Sequence, residues 1–401
     1  MTTAMGSTVG TARLRSMNVA TVLDVLRSAS PAALRLAEIA ERAGLTRPTV
    51  AQVVDELLAG GWLEQHDPDQ RDRGPGRPAI RVALRGRAAP VLGLDVGPHT
   101  VTAAVADAAG EWLASERRRA HEYGPGWSAD ELLDVVDEVV AAALGGAGVA
   151  AQELRAVVVA TPGVVDAETG RVVHVPSIPG WADVDLVGHV RGLVDCGVLV
   201  DNDANLAALA IAAGRGADTG QNPDTILAIH WGERLGAGVV IDGRVHRGAG
   251  AAGEVGFITP GGAAPAKQSD GRGPLERAVA GSAIARAHSR ATRASEVFDA
   301  AAEGEEEALG VVRDVARTFA RAVAPAMLVL DPHAVVIGGG VARAGEVLRD
   351  AVVSELRDLL VNVPEVQLSP LVDDAVVSGA VRLAVTQVWG ALDPRAQPAS
   401  G

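Results

Sequence analysis

LAEIAERAGLTRPTVAQVVDELLAGGWLEQHDPDQRDRGPGRPAIR, residues 36–81, reads as two short helices joined by a tight turn and followed by a basic hairpin. Leu36, Ile39 and Ala40 share one helical face. Gly44 supplies the backbone freedom for a sharp turn. Thr46 is placed to cap the next helix, and Pro48 is tolerated in its first turn. Val50, Val53, Val54, Leu57 and Leu58 fall on the inward face of that helix, and Arg47, Thr49 and Gln52 on the other. Upstream, residues 18–28 put apolar side chains at 19, 22, 23 and 26, which predicts one more helix. Downstream, Trp62 and Leu63 begin a strand and residues 79–84 alternate as its return, with RDRGPGRP between them. Helix, turn, helix and basic wing in that order predict a winged helix-turn-helix, an α+β unit over residues 1–88. Its expected partner is duplex DNA. Arg47, Thr49 and Gln52 sit where base edges are read in the major groove. Arg77 is placed in the wing to enter a narrow A·T-rich minor groove.

Charge supports a division of the chain. The net charge is −14, yet residues 1–88 hold 12 Arg against 9 Asp or Glu, and residues 71–87 hold six Arg and one Asp. A basic segment on an acidic body points to localised contact with a polyanion. At 401 residues the chain exceeds one ordinary core. No apolar run reaches the ~18 residues needed to span a bilayer, and the N-terminus has no signal-peptide pattern. The single cysteine, Cys196, excludes an internal disulfide framework and a cysteine-rich metal cluster. A cytoplasmic protein without a membrane partner is the expectation.

From Val91 onward strands alternate with helices. VLGLDVGPHTVTAAVAD and GEWLASERR give three consecutive strands, and TILAIHWGERLGAGVVIDGRVHRG at 225–248 repeats the theme. Helical patterns fall at 130–143, 204–213, 305–330 and 346–360, and buried strands at 156–160, 198–200 and 334–337. An internally duplicated strand–turn–strand unit predicts two α/β lobes with a cleft between them.

The motifs TPGVVD (161–166), IPGW (178–181), VDNDANLAALA (200–210), GAGVVIDGRVHRGAGAAGEVG (236–256), GPLE (273–276) and PHAVVIGGGVA (332–342) resemble those of the ROK family of repressors, open reading frames and sugar kinases. The likeness covers about residues 90–390. It implies an actin-like, hexokinase-like two-lobed domain over 89–395, and with the head it is similar to the layout of ROK transcriptional repressors. It further implies that Asn202, Asp203, Glu254 and Glu276 bind a sugar, with Asp203 matching the kinase general base. Taken without the family, Asp203 can also be read as simply capping the helix.

The chain departs from the kinase pattern at three places. Where the kinases have Asp-x-Gly-Gly-Thr, it has Asp95, Val96, Gly97, Pro98 and His99, and Pro98 has no N–H to offer phosphate. Where they have Gly-Thr-Gly, it has Gly232, Glu233 and Arg234, which puts an anion at the triphosphate position. Its GGG at 338–340 is retained. The family zinc ligands, one His and three Cys, fall on Phe257, Lys267, Ser269 and Pro274, so no zinc is expected. Ser177 replaces a frequent Asn before the Gly-Trp segment. His174, His230 and His246 lie at strand-like positions without ligand spacing.

These residues lead to a regulator, a repressor, that senses a sugar or related ligand without phosphorylating it, uses no ATP or metal, and reads symmetric half-sites as at least a homodimer. The alternative is an ATP-dependent ROK sugar kinase with an appended DNA-binding domain.

Overall fold

The computed structural model describes residues 15, 18–19, 21–23, 25–66, 80–120, 126–166, 168–175, 177–219, 225–262, 271–371 and 373–392. The wing tip, with Arg77, and the expected zinc positions Lys267 and Ser269 lie outside the described residues.

The head contains α1, helical at residues 18–19, 21–23 and 25–29, then β1 (Leu34–Arg35), α2 (Leu36–Ala43), α3 (Arg47–Ala59), β2 (Leu63–His66) and β3 (Arg81–Leu84). Gly44 adopts φ 64° and closes α2 on the carbonyls of Ala40 and Glu41. The Thr46 hydroxyl accepts the Thr49 N–H at 3.4 Å and caps α3, with Pro48 in the first turn. Val22, Leu26, Ile39, Val50, Val53 and Leu57 close one core with Leu63 and Val82 of the wing. Leu58 is only half-buried. A strand not anticipated from the sequence, β1, pairs antiparallel with β3, so the sheet order is β1-β3-β2.

The duplication in the sequence is a duplication of topology. The first lobe contains β4 (Val91–Val96), β5 (Thr100–Ala106), β6 (Trp112–Arg119), α4 (Ala129–Ala147), β7 (Ala156–Thr161), the short pair β8 (Val164–Val165) and β9 (Val172–His174), α5 (Leu186–Leu193) and β10 (Gly197–Asn202). After α6 (Asp203–Thr219), the second lobe contains β11 (Thr225–Trp231), β12 (Leu235–Ile241), β13 (Arg244–His246), α7 (Pro274–Val279), α8 (Gly281–Arg286), α9 (Ala294–Ala302), α10 (Glu306–Leu330), β14 (Ala334–Gly338), α11 (Glu346–Arg357) and β15 (Glu365–Leu368). In each lobe a three-strand antiparallel meander is extended by two parallel strands. The orders are β10-β7-β4-β5-β6 and β13-β12-β11-β14-β15. The chain closes with α12 (Ala375–Leu392).

α4 and α5 cover the outer face of the first sheet, and α10 and α11 that of the second. The inner faces are separated by α12 and α6. Backbone approaches at glycine bring these layers together. Gly93 of β4 meets Val377 and Val381 of α12, Gly379 of α12 meets the Leu206 carbonyl of α6, and Gly238 of β12 meets Ala204 and Ala208 of α6. At each point a Cβ would enter atoms already in place.

α12 also reaches the head. The Trp389 ring lies 5.8 Å from that of Trp62, and its Nε1 donates to the Ala108 carbonyl at 2.9 Å. At its other end Asp373 and Asp374 accept from Arg343 and Arg117, one residue from each lobe. Among the described residues no helix is long and apolar enough to cross a membrane.

Gly379→Ala is expected to destabilise the fold by about 1–3 kcal/mol, because it overpacks the α6–α12 crossing. Gly310→Ala in α10, where a Cβ meets nothing within 4 Å, is expected to stabilise by about 0.4–1 kcal/mol. Urea unfolding midpoints of the two variants against wild type check the contrast.

Candidate functional sites: the N-terminal head and the interlobe cleft

On the head, Arg47 and Gln52 are exposed on the outward face of α3. Gln52 reaches back to Glu56 at 3.4 Å. Thr49 is half-buried, and its hydroxyl lies 2.8 Å from that of Thr46, so part of its role is to fix the start of the helix. The three residues share the N-terminal half of one helix whose inner face is locked into the core. This is the geometry that offers side chains to a groove.

In the body, Asn202, Asp203, Glu254 and Glu276 line one cavity between the lobes. β10 ends at Asn202 and α6 begins at Asp203, so both are delivered by a strand-to-helix junction. The cap of that helix is Asn202: its Oδ1 accepts the Asn205 N–H at 3.2 Å and its Nδ2 donates to the Gly163 carbonyl at 2.8 Å. Asp203 takes the Ala204 N–H on Oδ1 at 2.7 Å. Burial pushes the Asp203 carboxyl above the usual range, against the pull of His230, the Ala204 N–H and Arg234.

Glu276 stands at the first turn of α7 and is 5% exposed. Its Oε2 accepts the Leu235 N–H at 3.1 Å. Its Oε1 is 3.3 Å from Arg234 Nη1, but without hydrogen-bond alignment, and so remains a buried acceptor without a donor. Asn205 Oδ1, on the same cavity wall, is also a buried acceptor without a donor. Buried acceptors are rarely left in this state. Glu254 is raised by burial and by the charges of Asp203 and Glu276. The cavity measures only about 80 Å³.

The fold gives several further residues their place around the cleft. Asp95, at the end of β4, is pushed up to about 7, first by burial and then by Asp203, with Arg117 opposing. His174 and His230, on separate strands, both face the cavity. Asp201 of the first lobe is buried and is held by Arg247 of the second and by Asn205. The IPGW segment has a core role: Trp181 is fully buried and donates to Thr161 at 2.9 Å. Ser177 keeps its Oγ buried without a hydrogen-bond partner among the described residues.

The glycine turns are engaged by the protein itself. At the first turn the Gly97 N–H is taken by the Thr100 carbonyl at 2.9 Å, Pro98 has no N–H, and its carbonyl accepts the Trp127 N–H. At the second, the Glu233 carboxylate accepts the Ser282 N–H at 2.9 Å, the Ser282 hydroxyl at 2.7 Å and Arg272 at 2.8 Å. Burial pushes Glu233 up, but these bonds together hold it below the usual carboxylate range. At the third, Gly339 has φ 80° and packs on the Trp231 backbone, so the chain path by itself requires a glycine there. The remaining zinc positions do not fit the ion: Phe257, 50% exposed on the cavity wall, and Pro274, the first residue of α7, carry no nitrogen or sulfur ligand.

The chain matches the ROK family over residues 91–387 and the IclR helix-turn-helix domain over residues 17–67. It is 32% identical to the glucokinase of Thermotoga maritima over 265 residues, 60% of this chain and 82% of that protein. It is 23% identical to the xylose repressor of Caldicellulosiruptor bescii over 378 residues, 88% and 91% of the two chains. Among solved structures, a ROK family transcriptional regulator, a homologue of the E. coli MLC protein, superposes with a TM-score of 0.73 at 21% identity. That match covers 94% of this chain and 97% of the other.

Because Asp95 lies above its ordinary value of 3.8, it is neutral in both folded and unfolded states below about pH 4. It destabilises the fold progressively as pH rises toward 7, and by a constant amount above that. Asp95→Asn is therefore expected to gain thermal stability over wild type between pH 4 and 7. A difference in melting temperature that does not change with pH would contradict this assignment.

Proposed function

The chain belongs to the ROK family and carries an IclR-type helix-turn-helix at its N-terminus, and from that premise we propose that it is a DNA-binding transcriptional regulator, a repressor, whose interlobe cleft senses a sugar or related polyol without phosphorylating it. The observation that carries this reading is Glu233. Phosphoryl transfer needs donors free to stabilise the charge of the transferring group. Here a carboxylate of the chain already takes the Ser282 N–H, the Ser282 hydroxyl and Arg272 at the second glycine turn. The first turn adds a spent N–H and a proline.

Ligand binding is supported by the opposite condition in the cleft. Among the described residues, Glu276 Oε1, beside Arg234 but out of hydrogen-bond alignment, and Asn205 Oδ1 accept no hydrogen bond, and vicinal hydroxyls are donors of the right kind. A ligand that satisfies them is discriminated from one that does not by about 1–3 kcal/mol per group. The apolar face of Phe257 closes one side. A cavity of about 80 Å³ is smaller than the ~300 Å³ at which small-molecule pockets begin. Occupancy therefore selects a wider lobe angle. The lobes turn about α6 and α12, and α12 carries Trp389 to the head, so the angle is felt there. Arg47, Thr49 and Gln52 read the major groove, Arg77 the minor groove, and two copies of the chain address paired half-sites.

One observation favours the kinase reading. Asp203 sits in the cleft beside His230 with its proton affinity raised, as a general base working near neutral pH requires. A coupled assay of ATP turnover across a monosaccharide panel separates the readings. No sugar-dependent turnover is expected. Turnover that disappears in Asp203→Asn would establish the kinase instead.

For the head, Arg47→Ala is expected to weaken binding to a specific site by about 1–3 kcal/mol. Arg77→Ala is expected to weaken DNA binding while leaving sugar-induced thermal stabilisation unchanged. Fluorescence anisotropy with labelled promoter fragments and a thermal-shift titration measure the two quantities side by side.

A further inference from the structure

Beside the interlobe cavity of about 80 Å³ one ion pair ties its two walls together. Asp201, 3% exposed at the end of β10 in the first lobe, directly precedes Asn202 and Asp203 on the cavity wall. Arg247 follows β13 in the second lobe and begins the loop that brings Gly250, Ala252, Gly253 and Glu254 to the same cavity. Its guanidinium donates to Asp201 Oδ2 through Nε at 3.1 Å and again through Nη2. The other oxygen, Oδ1, accepts the Asn202 N–H at 2.8 Å and Asn205 Nδ2 at 3.1 Å. Both carboxylate oxygens are therefore engaged. A carboxylate only accepts, so the Asn205 amide turns its nitrogen to Asp201 and its oxygen away. The loop itself lies against the first lobe, where a Cβ on Gly250 would stand 3.6 Å from the Val165 carbonyl oxygen. Arg117 and Arg343, by contrast, pair with the start of α12 and not with the opposite lobe.

We propose that the Arg247–Asp201 pair is a clasp between the lobes, which holds the cleft closed until a ligand parts it. The inference rests on the reading of the cleft as the ligand site. A small-molecule pocket needs ~300 Å³ or more, so the walls at 202–203 and 250–254 must separate on binding. Those are the segments that Asp201 and Arg247 hold together. The two members differ in a way that suits release: the Asp201 side chain is buried and that of Arg247 half-exposed. Parting the walls leaves the guanidinium in water and hydrates the carboxylate that has lost it. Removing the guanidinium while the walls stay together leaves a buried charge without its partner, which is the costlier state. Arg247 and Asp201 are thus positioning residues. They act through the segments that touch the ligand and set how far the open cleft is populated before a ligand arrives.

The test uses the full chain. Hydrogen exchange read by mass spectrometry compares wild type with Arg247→Ala and Arg247→Lys in the absence of sugar. In Arg247→Ala, peptides spanning 200–206 and 247–256 are expected to exchange about tenfold faster or more, while those of α4 and α10 on the outer faces keep their wild-type rates. Arg247→Lys, which returns a cation to Asp201, is expected to restore most of the lost protection. Calorimetry with glucose, xylose and N-acetylglucosamine gives the second readout. A sugar that binds wild type is expected to bind Arg247→Ala about threefold more tightly or better, because the cleft is already open. Arg247→Gln, which drops the charge and keeps hydrogen-bonding capacity, carries the same comparison if the alanine variant fails to fold. The proposal is overturned if exchange at the two segments is unchanged. It is overturned too if exchange rises equally in α4 and α10, which makes the pair a general stabiliser of the fold. A sugar bound equally or more weakly by Arg247→Ala also overturns it. Faster local exchange with no sugar bound by any variant upholds the clasp and overturns instead the reading of the cleft as a sugar site.

Discussion

Two helices held between two sheets set the terms for the rest of the molecule. α12 lies on the first sheet, α6 on the second, and the helices meet where Gly379 lets the Leu206 carbonyl approach the backbone. Packing this close has little freedom to slide, because interiors respond to a shift by repacking and not by compression. A change in lobe angle must therefore move the helices as bodies. α6 begins at Asp203 in the cleft, and α12 ends beside Trp62 of the head. The ion pairs that Arg117 and Arg343 make with Asp374 and Asp373 anchor the start of α12 to both lobes. One contiguous pair of helices thus touches the interlobe cleft at one end and the helix-turn-helix head at the other.

The electrostatics of the cleft suit recognition. Asp95, Asp203, Glu254 and Glu276 are all raised, chiefly by burial. Carboxyl groups kept from water and from full pairing are strained until hydroxyl donors arrive, and this is how a polyol site acquires selectivity. Glu233 is the reverse case, a carboxylate saturated with donors and held low. In the proposed reading, one scaffold keeps acceptors open where a sugar would lie and fills donors where a phosphate would lie.

Much of this architecture was legible in the sequence. The head followed from Gly44, Thr46 and Pro48 punctuating an apolar period, and the two lobes from a strand–turn–strand unit occurring twice. The four expected cleft residues do line one cavity. Other features were hidden for physical reasons. α12 reads AVVSGAVRLAVTQVWGAL, mostly apolar because it is packed between layers, and only the narrow stripe of Ser378, Arg382 and Thr386 marks its helical period. β1 is two residues long and exists only by pairing with β3. Glu233 meets Ser282 across 49 positions, and Arg247 meets Asp201 across 46. His174, His230 and Asp95 converge only after the sheets are assembled.

In the proposed mechanism, cleft occupancy and DNA occupancy are linked through the α6–α12 pair. Linkage is reciprocal: if a sugar changes the affinity for DNA by some factor, DNA changes the affinity for that sugar by the same factor. The most direct measurement is anisotropy of a promoter fragment bound by the full chain, titrated with a panel of neutral monosaccharides and paired with calorimetry of the same sugars with and without DNA. At least one sugar is expected to shift the DNA affinity about 5- to 150-fold, with the equal reciprocal shift in its own affinity. A sugar that binds the cleft tightly while leaving DNA affinity unchanged contradicts it.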